Sequence, residues 1–386
     1  VNKQRHWLAL VTVLAIAFVL RPAVAQIGPI LSQIQEGLAV SDTEMAILTA
    51  VPVLCFGFGA FASPALVRRF GINHSMVYLL AILLVAVAVR PYLGFFGLLI
   101  GSTVAGLAIA VANVLLPSIV RERFPGKVVV MTTAYTTVLA ASASFAAAIS
   151  FPSAAFGGWQ FSLSIWALPT LLAVVLSLSL LKGHDSAVEA SHGDHSAGWK
   201  AVWVSPITWW VTALFGLQSL GFYALLAWLP SVAIASGVDP AGAGVLLSLM
   251  TIVGVPVRFF LGPVLHKWFN QSVEGVLISL LTAVGMALML FGLWVPAAIL
   301  IGIGQASTFP LSLSLISTRA KTMELTTILS SVVQGVGYLI AAAGTFLFGW
   351  LGSVSGNWQN SIYLIIGVTV VQIVSGWYAG KQRVIG

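Results

Sequence analysis

Charge is what this sequence has least of. Of its 386 residues only 7% are Asp, Glu, Lys or Arg and 59% are hydrophobic, whereas an average soluble domain is about 25% charged. Too few charges are present to cover a globule of this length in water, where a surface needs roughly 25–35% charged residues. A water-soluble fold is excluded, and lipid is the expected solvent. Acidic groups are scarcer still, ten in all. Glu36, Asp42, Glu44 and Asp239 fall in outer loops or at their helix boundaries, and Glu122, Asp185, Glu189, Asp194, Glu274 and Glu324 fall on the cytoplasmic side. None is expected at membrane depth, and the six histidines also lie at or near the cytoplasmic face. An intramembrane proton relay of Asp, Glu or His therefore has no candidate. Cysteine is limited to Cys55, inside an apolar run, which excludes an intrachain disulfide and suggests packing. No G-x-x-x-x-G-K-[ST] phosphate loop occurs, so ATP-driven transport by this chain alone is disfavoured. No nucleophile, metal cluster or acid–base pair points to an enzyme, and no cofactor is expected.

Long apolar runs are what the sequence has in abundance, with a mean hydropathy of +1.04. Its 37 Gly and 13 Trp agree with them, because Gly is frequent in membrane helices and Trp collects at the two interfaces. At about 20 apolar residues per span, six spans fit roughly over 7–30, 44–66, 73–90, 94–120, 127–151 and 160–182. Six more fit over 206–230, 241–264, 273–292, 294–318, 324–350 and 359–380. These runs are too long and too continuously apolar for the alternating strands of an outer-membrane barrel. The stretch after VNKQRHW exceeds a signal h-region and has no small-residue cleavage site behind it, so it is expected to be the first span.

The predicted organisation is a six-helix bundle over 1–182, a cytoplasmic linker over 183–205 and a second six-helix bundle over 206–386. His184, Asp185, His192, Asp194 and His195 lie in that polar, flexible-looking linker, but their spacing fits no rigid ligand pattern, so no metal is expected. The net charge of +7 reads as a topology label. Fourteen of the 17 Lys and Arg fall on one side of the spans, which places both termini in the cytoplasm by the positive-inside rule. The halves also match each other. At an offset of 198 residues, SPALVRRF at 63–70 falls on LGPVLHKW at 261–268 and LAVSD at 38–42 on SGVDP at 236–240, while AFGGWQ at 155–160 meets VSGNWQ one residue further on.

Three basic residues are left over. Arg21 stands about 14 residues into the first span, roughly 21 Å from its start at 1.5 Å per residue, beyond the midplane of the hydrocarbon. An Arg at that depth costs at least about 2.5–3.5 kcal/mol and usually marks a ligand pathway or an ion pair. With no acid at depth, an anionic or strongly polar substrate is the expected partner, with helix-end carbonyls freed by Pro22 or trapped water as the alternatives. Arg258, just after Pro256, is equally readable as a cavity residue or as a snorkelling one. Arg90, near the outer end of the third span, is expected to anchor at the interface, with lining the cavity as the alternative. Neutral polar groups complete the candidate set: Asn113, Tyr135, Gln218, Tyr223, Gln305, and the i, i+4 pair Gln334 and Tyr338. Each has helix–helix bonding as its alternative role.

Twelve helices divided six and six, cytoplasmic termini and a long central loop resemble the major facilitator superfamily. That family's G-x-L-x-D-R-x-G loop is met in part by PALVRRFG at 64–71, which keeps Leu66, Arg69 and Gly71 but has Pro64 and Arg68 for the first Gly and the Asp. The C-terminal counterpart GPVLHKWF has His266 at the Asp position. More narrowly, LRPAVAQIGP at 20–29, ILTAVPVLCFGF at 47–58, ANVLLPSIVRERFP at 112–125, YALLAWLP at 223–230, VQGVGYLIAA at 333–342 and SGNW at 355–358 resemble the cyanate and 2-nitroimidazole transporters. The resemblance implies that the family's first-helix Arg is Arg21, its fourth-helix amide Asn113, its fifth-helix aromatic Tyr135 and its eleventh-helix Gln Gln334; Arg258 has no assigned counterpart.

The function expected is secondary transport of a small anionic or polar organic solute, cyanate-like or nitroimidazole-like, by alternating access of the two halves, with Arg21 as the main charge contact. Trp166, Trp228 or Phe222 would cover apolar parts of the solute. Efflux of neutral heterocycles is the alternative. The expected setting is a bacterial inner membrane, as a monomer in the lipid bilayer with a small-molecule substrate and no nucleic-acid partner.

Overall fold

A computed structural model describes residues 3–182, 195–257, 270–355 and 358–385. These residues are nearly all helical, with no β-strand among them. The first half holds α1 (Lys3–Val19), α2 (Pro22–Ala25), α3 (Leu31–Leu38), α4 (Asp42–Ala60), α5 (Ser63–Phe70), α6 (Ile72–Val89), α7 (Gly94–Arg123), α8 (Val128–Ser164) and α9 (Ala167–Ser177). The second holds α10 (His195–Val204), α11 (Pro206–Ala235), α12 (Pro240–Ile252), α13 (Gln271–Met289), α14 (Trp294–Thr318), α15 (Met323–Ser355) and α16 (Gln359–Ala379). Among the described residues, nine helical stretches are long and apolar enough to cross a membrane. A helix suits lipid because it satisfies its own backbone groups.

Two expectations are corrected. The first span is not one continuous helix: it is interrupted at Leu20–Arg21, and Pro22 opens the short α2. Pro is suited to that place because the first N–H of a helix has no partner to lose. Between the expected fifth and sixth spans, the break falls where the gap in the apolar runs placed it: the helical backbone of α8 fails at Gly157 and Gly158, and Gly158 has φ +81, a left-handed conformation that glycine adopts without strain. Finally, residues His195–Val204 of the expected linker form α10 rather than loop. Residues 183–194, with most of the linker's His and Asp, lie outside the described residues.

The chain divides into two compact units, Val1–Gly198 with Thr326–Ser331, and Trp199–Leu325 with Val332–Gly386. Hydroxyls explain why the six-residue stretch groups with the first unit: Thr327 bonds to Ser118 at 3.0 Å, Ser330 donates to the Val114 carbonyl at 2.8 Å and Ser331 to the Ala60 carbonyl at 2.7 Å.

Packing within each unit repeats. In the first, α4 and α6 both lie on α7, and α9 lies on α6 and α1; in the second, α12 and α13 both lie on α14, and α16 lies on α13 and α11. Helix starts repeat too. Ser41 caps α4 through a reciprocal box with Glu44, and Asp239, 198 residues later, caps α12 by accepting from the Gly242 N–H at 2.9 Å. Outer faces carry exposed Phe96, Phe156, Phe291 and Phe346, while Ser and Thr are buried and bonded one turn back, as Thr136 is to Thr132 and Thr308 to Gly304. That polarity is inverted relative to a soluble protein and fits a lipid solvent.

Each acid in a described helix or at its cap stands in a first or last turn or as the cap itself: Glu36, Asp42, Glu44, Glu122, Asp239, Glu274 and Glu324. Arg319, expected only as a loop charge, is in fact buried after α14. It donates from Nε to the Ala379 carbonyl at 3.2 Å and from Nη2 to the Gly380 carbonyl at 2.9 Å, closing the end of α16. Burial pulls its guanidinium down to about 10.

Candidate functional site

The break in the first span is the most chemically distinct place in the first unit. Arg21 is its hinge residue, half-buried, with its carbonyl accepting from the Val24 and Ala25 N–H groups at 3.1 and 3.0 Å. Its guanidinium carbon lies 5.7 Å from the centre of the Phe56 ring on α4, within range of a cation–π contact. Phe56 itself is buried, so the attraction acts in a poorly hydrated setting. The arrangement holds a delocalised planar cation beside an aromatic face. A guanidinium so placed matches a planar or linear anion better than an ammonium would.

Gln26, not singled out from the sequence, stands five residues further along the same span and is fully buried. Its Nε2 donates to the Leu163 carbonyl at 3.4 Å, while its Oε1 has no hydrogen bond. The signal was present in LRPAVAQ, where Gln26 is the first amide after Arg21. Asn113 on α7 and Tyr135 on α8 are both buried in this unit. Trp166 stacks obliquely on Phe18 at 5.8 Å and meets Phe145 edge-on at 6.1 Å, so aromatic packing within the unit is its observed contact.

A second polar group lies in the second unit. Gln218 on α11 donates from Nε2 to the Gln305 Oε1 on α14 at 2.8 Å, and Ser219 donates to the Gln218 Oε1 at 3.3 Å. Both amides are buried, and Gln305 Nε2 has no hydrogen bond. Close to α11, Tyr338 on α15 meets Phe215 edge-on at 5.2 Å and Tyr223 at 6.4 Å. Gly216 and Gly337 allow this approach, since a Cβ on Gly216 would sit 3.0 Å from the Gly337 Cα. The structure thus brings together Gln218 with Gln305, and Tyr223 with Tyr338; Gln334 is buried one turn before Tyr338. Trp228 is taken up elsewhere, stacked on Trp358 at 5.6 Å in the unit's hydrophobic core.

A family model described as Major Facilitator Superfamily matches residues 10–342. The chain belongs to the major facilitator superfamily. Its relatives include an uncharacterized transporter, YycB, of Bacillus subtilis, 34% identical over 99% of this chain and 95% of that protein. They also include the 2-nitroimidazole transporter of Escherichia coli, 30% identical over 96% and 95% of the two chains, and the cyanate transport protein CynX of the same organism, 26% identical over 94% and 96%. Among solved structures, the superfamily transporter FucP in the outward conformation superposes with a TM-score of 0.79, covering 97% of this chain and 99% of FucP. The proton:xylose symporter XylE superposes at 0.82, covering 100% and 98%. Both are 13% identical to this chain, a likeness that carries the fold alone. The fold is therefore that of the superfamily: an all-α membrane protein of twelve transmembrane helices in two pseudo-symmetric six-helix bundles.

One family feature is placed by the structure and its C-terminal counterpart lies outside the described residues. The PALVRRFG loop forms α5 and ends at Gly71, φ +76, with Ser75 donating to the Gly71 carbonyl at 2.6 Å. Its counterpart at 262–269, with His266, lies outside the described residues, as does Arg258. Arg90 contradicts its expected place. It is 2% exposed rather than at an interface, because the 3-10 turn Arg90–Tyr92 carries its side chain inward to Ser102 and Ala23.

Proposed function

We propose that this superfamily member is a secondary transporter that moves a small anionic or polar organic solute, cyanate-like or nitroimidazole-like, across a bacterial inner membrane by alternating access. The observation that carries the reading is Arg21, a cation at the broken middle of the first span, in a chain whose described acids all stand at helix ends. A planar, delocalised cation held over the buried Phe56 ring is suited to a planar or linear anion, and a charge at that depth usually marks a ligand pathway. The names of the Escherichia coli relatives, a 2-nitroimidazole transporter and a cyanate transport protein, support this choice of solute class. Asn113, Tyr135, Gln218, Tyr223, Arg258, Gln334 and Tyr338 are proposed as further contacts that fix orientation. The protein works as a monomer, as two bundles over 1–182 and 206–386 joined by the 183–205 segment, with both termini cytoplasmic, and its work is transport rather than catalysis.

The test is purified protein in liposomes, offered cyanate, other small anions and 2-nitroimidazole, and read by uptake and counterflow. Arg21→Ala is expected to weaken binding of the anionic solutes by about 10- to 150-fold, the loss of one charge-assisted contact of roughly 1.5–3 kcal/mol. Undiminished affinity in Arg21→Ala overturns the reading. A second reading, export of neutral heterocycles, is supported by the uncharged Phe215, Tyr223 and Tyr338 group. Transport of 2-nitroimidazole with indifference to every anion would favour it.

A further inference from the structure

In an unbroken helix the carbonyl of each residue is filled by the N–H four residues on. At the break in the first span that ladder slips. Ala25 still donates to the Arg21 carbonyl and Gln26 to the Pro22 carbonyl, but Ile27, four residues after Ala23, gives its N–H to Val24 at 3.3 Å. The Ala23 carbonyl is thereby released into an apolar interior, where an unfilled one is costly. Arg90 fills it. Nη2 donates to the Ala23 carbonyl at 2.7 Å and Nη1 to the Ser102 hydroxyl at 3.0 Å. Gly101 makes the route passable, since a Cβ there would collide with the Arg90 stem. The guanidinium thus ties the end of α6 and the first third of α7 to the turn on which Arg21 stands. Both of its acceptors are neutral, so its positive charge is not cancelled by them.

We propose that Arg90 is the positioning residue for solute binding: it holds the turn from Arg21 to Gln26 in its slipped form and so fixes where the Arg21 guanidinium is presented. A neutral donor could fill one carbonyl; a buried Arg fills it, grips a second helix and adds positive potential beside an anion site. This rests on the reading of Arg21 as the charge contact, and the test keeps the two separable.

Hydrogen–deuterium exchange of the full chain in lipid nanodiscs reads the turn directly. Arg90→Met is expected to speed exchange of the amides at residues 24–30 by about tenfold or more, the loss of one charge-assisted bond on a local opening equilibrium. Exchange in α11–α16 is expected to stay within about twofold. Arg90→Lys, which keeps the charge but has a single donor nitrogen in place of the fork that reaches both acceptors, falls between. In transport, Arg90→Lys raises the KM for cyanate with little change in maximal rate, and Arg21→Ala/Arg90→Lys is no weaker than Arg21→Ala alone. Unchanged exchange at 24–30, or an equal rise throughout the first unit, overturns the proposal. Should Arg90→Met fail to fold, Arg90→Lys and Ser102→Ala carry the same exchange comparison. Failure of the Arg21 reading shows separately, as full solute affinity in Arg21→Ala, and leaves the exchange result standing.

Discussion

Arg21 and Arg90 show how two identical side chains in apolar surroundings come to do different work. One is half-buried over an aromatic ring; the other is wholly enclosed and directs its two terminal nitrogens to a backbone carbonyl and a hydroxyl. Gln218 and Gln305 pose the same question for amides. Removing one member strands the other in a buried site, so Gln218→Leu is expected to cost about 1–3 kcal/mol, read as a lowered Tm in detergent. Gln218→Leu/Gln305→Leu, which removes both, is expected to recover much of that loss. A double variant as unstable as the sum of the single ones would show that the pair does not act as a unit. Arg21 was legible in the sequence because an isolated cation in a long apolar run has few explanations. Arg90 was not, since its acceptor Ala23 lies 67 residues away and its inward turn depends on a 3-10 segment. Spacing along one helix carries no trace of such a partner.

At the level of helices, apolar runs and caps were readable, whereas interruptions were not. The first span is uniformly apolar across its break, so hydropathy alone draws it as one helix; only the Arg21–Pro22 step marked the place where α1 ends. Likewise the polar composition of 183–205 predicts loop, yet the WKAVWV stretch has enough apolar surface to be held as α10, with Val202 fully buried. The caps can be tested as a matched set. Ser41→Ala and Asp239→Ala each remove an N-cap acceptor from corresponding helices, and each is expected to cost about 1 kcal/mol of stability. Thermal unfolding of the two variants side by side checks this. A large loss in one and none in the other would mean that the helices are not equivalent in the two bundles.

For the whole molecule, the scarcity of acids has an energetic consequence. A carrier that couples solute to protons through its own groups needs a titratable side chain at depth, and the described acids all stand at helix ends. An imposed pH gradient across liposomes is therefore expected to drive no accumulation of a transported anion whose charge is fixed. A transported solute that itself takes up a proton is expected to accumulate. Gradient-driven accumulation of the fixed anion would show that the protein supplies the proton site. Two bundles and twelve spans were legible from composition, run length and the 198-residue offset, and transport from the family resemblance of runs such as LRPAVAQIGP; which neutral polar groups meet was not. Gln218 with Gln305, and Tyr223 with Tyr338, are brought together by helices far apart in the chain.

Ser41 and Asp239 differ as amino acids yet stand in the same register and do the same thing, offering an oxygen to the first free N–H groups of a helix. Letter identity between the halves therefore understates how closely they correspond. What the two halves share at this place is the acceptor and not the residue. Positions equivalent in the two bundles are better matched by hydrogen-bonding role than by residue type.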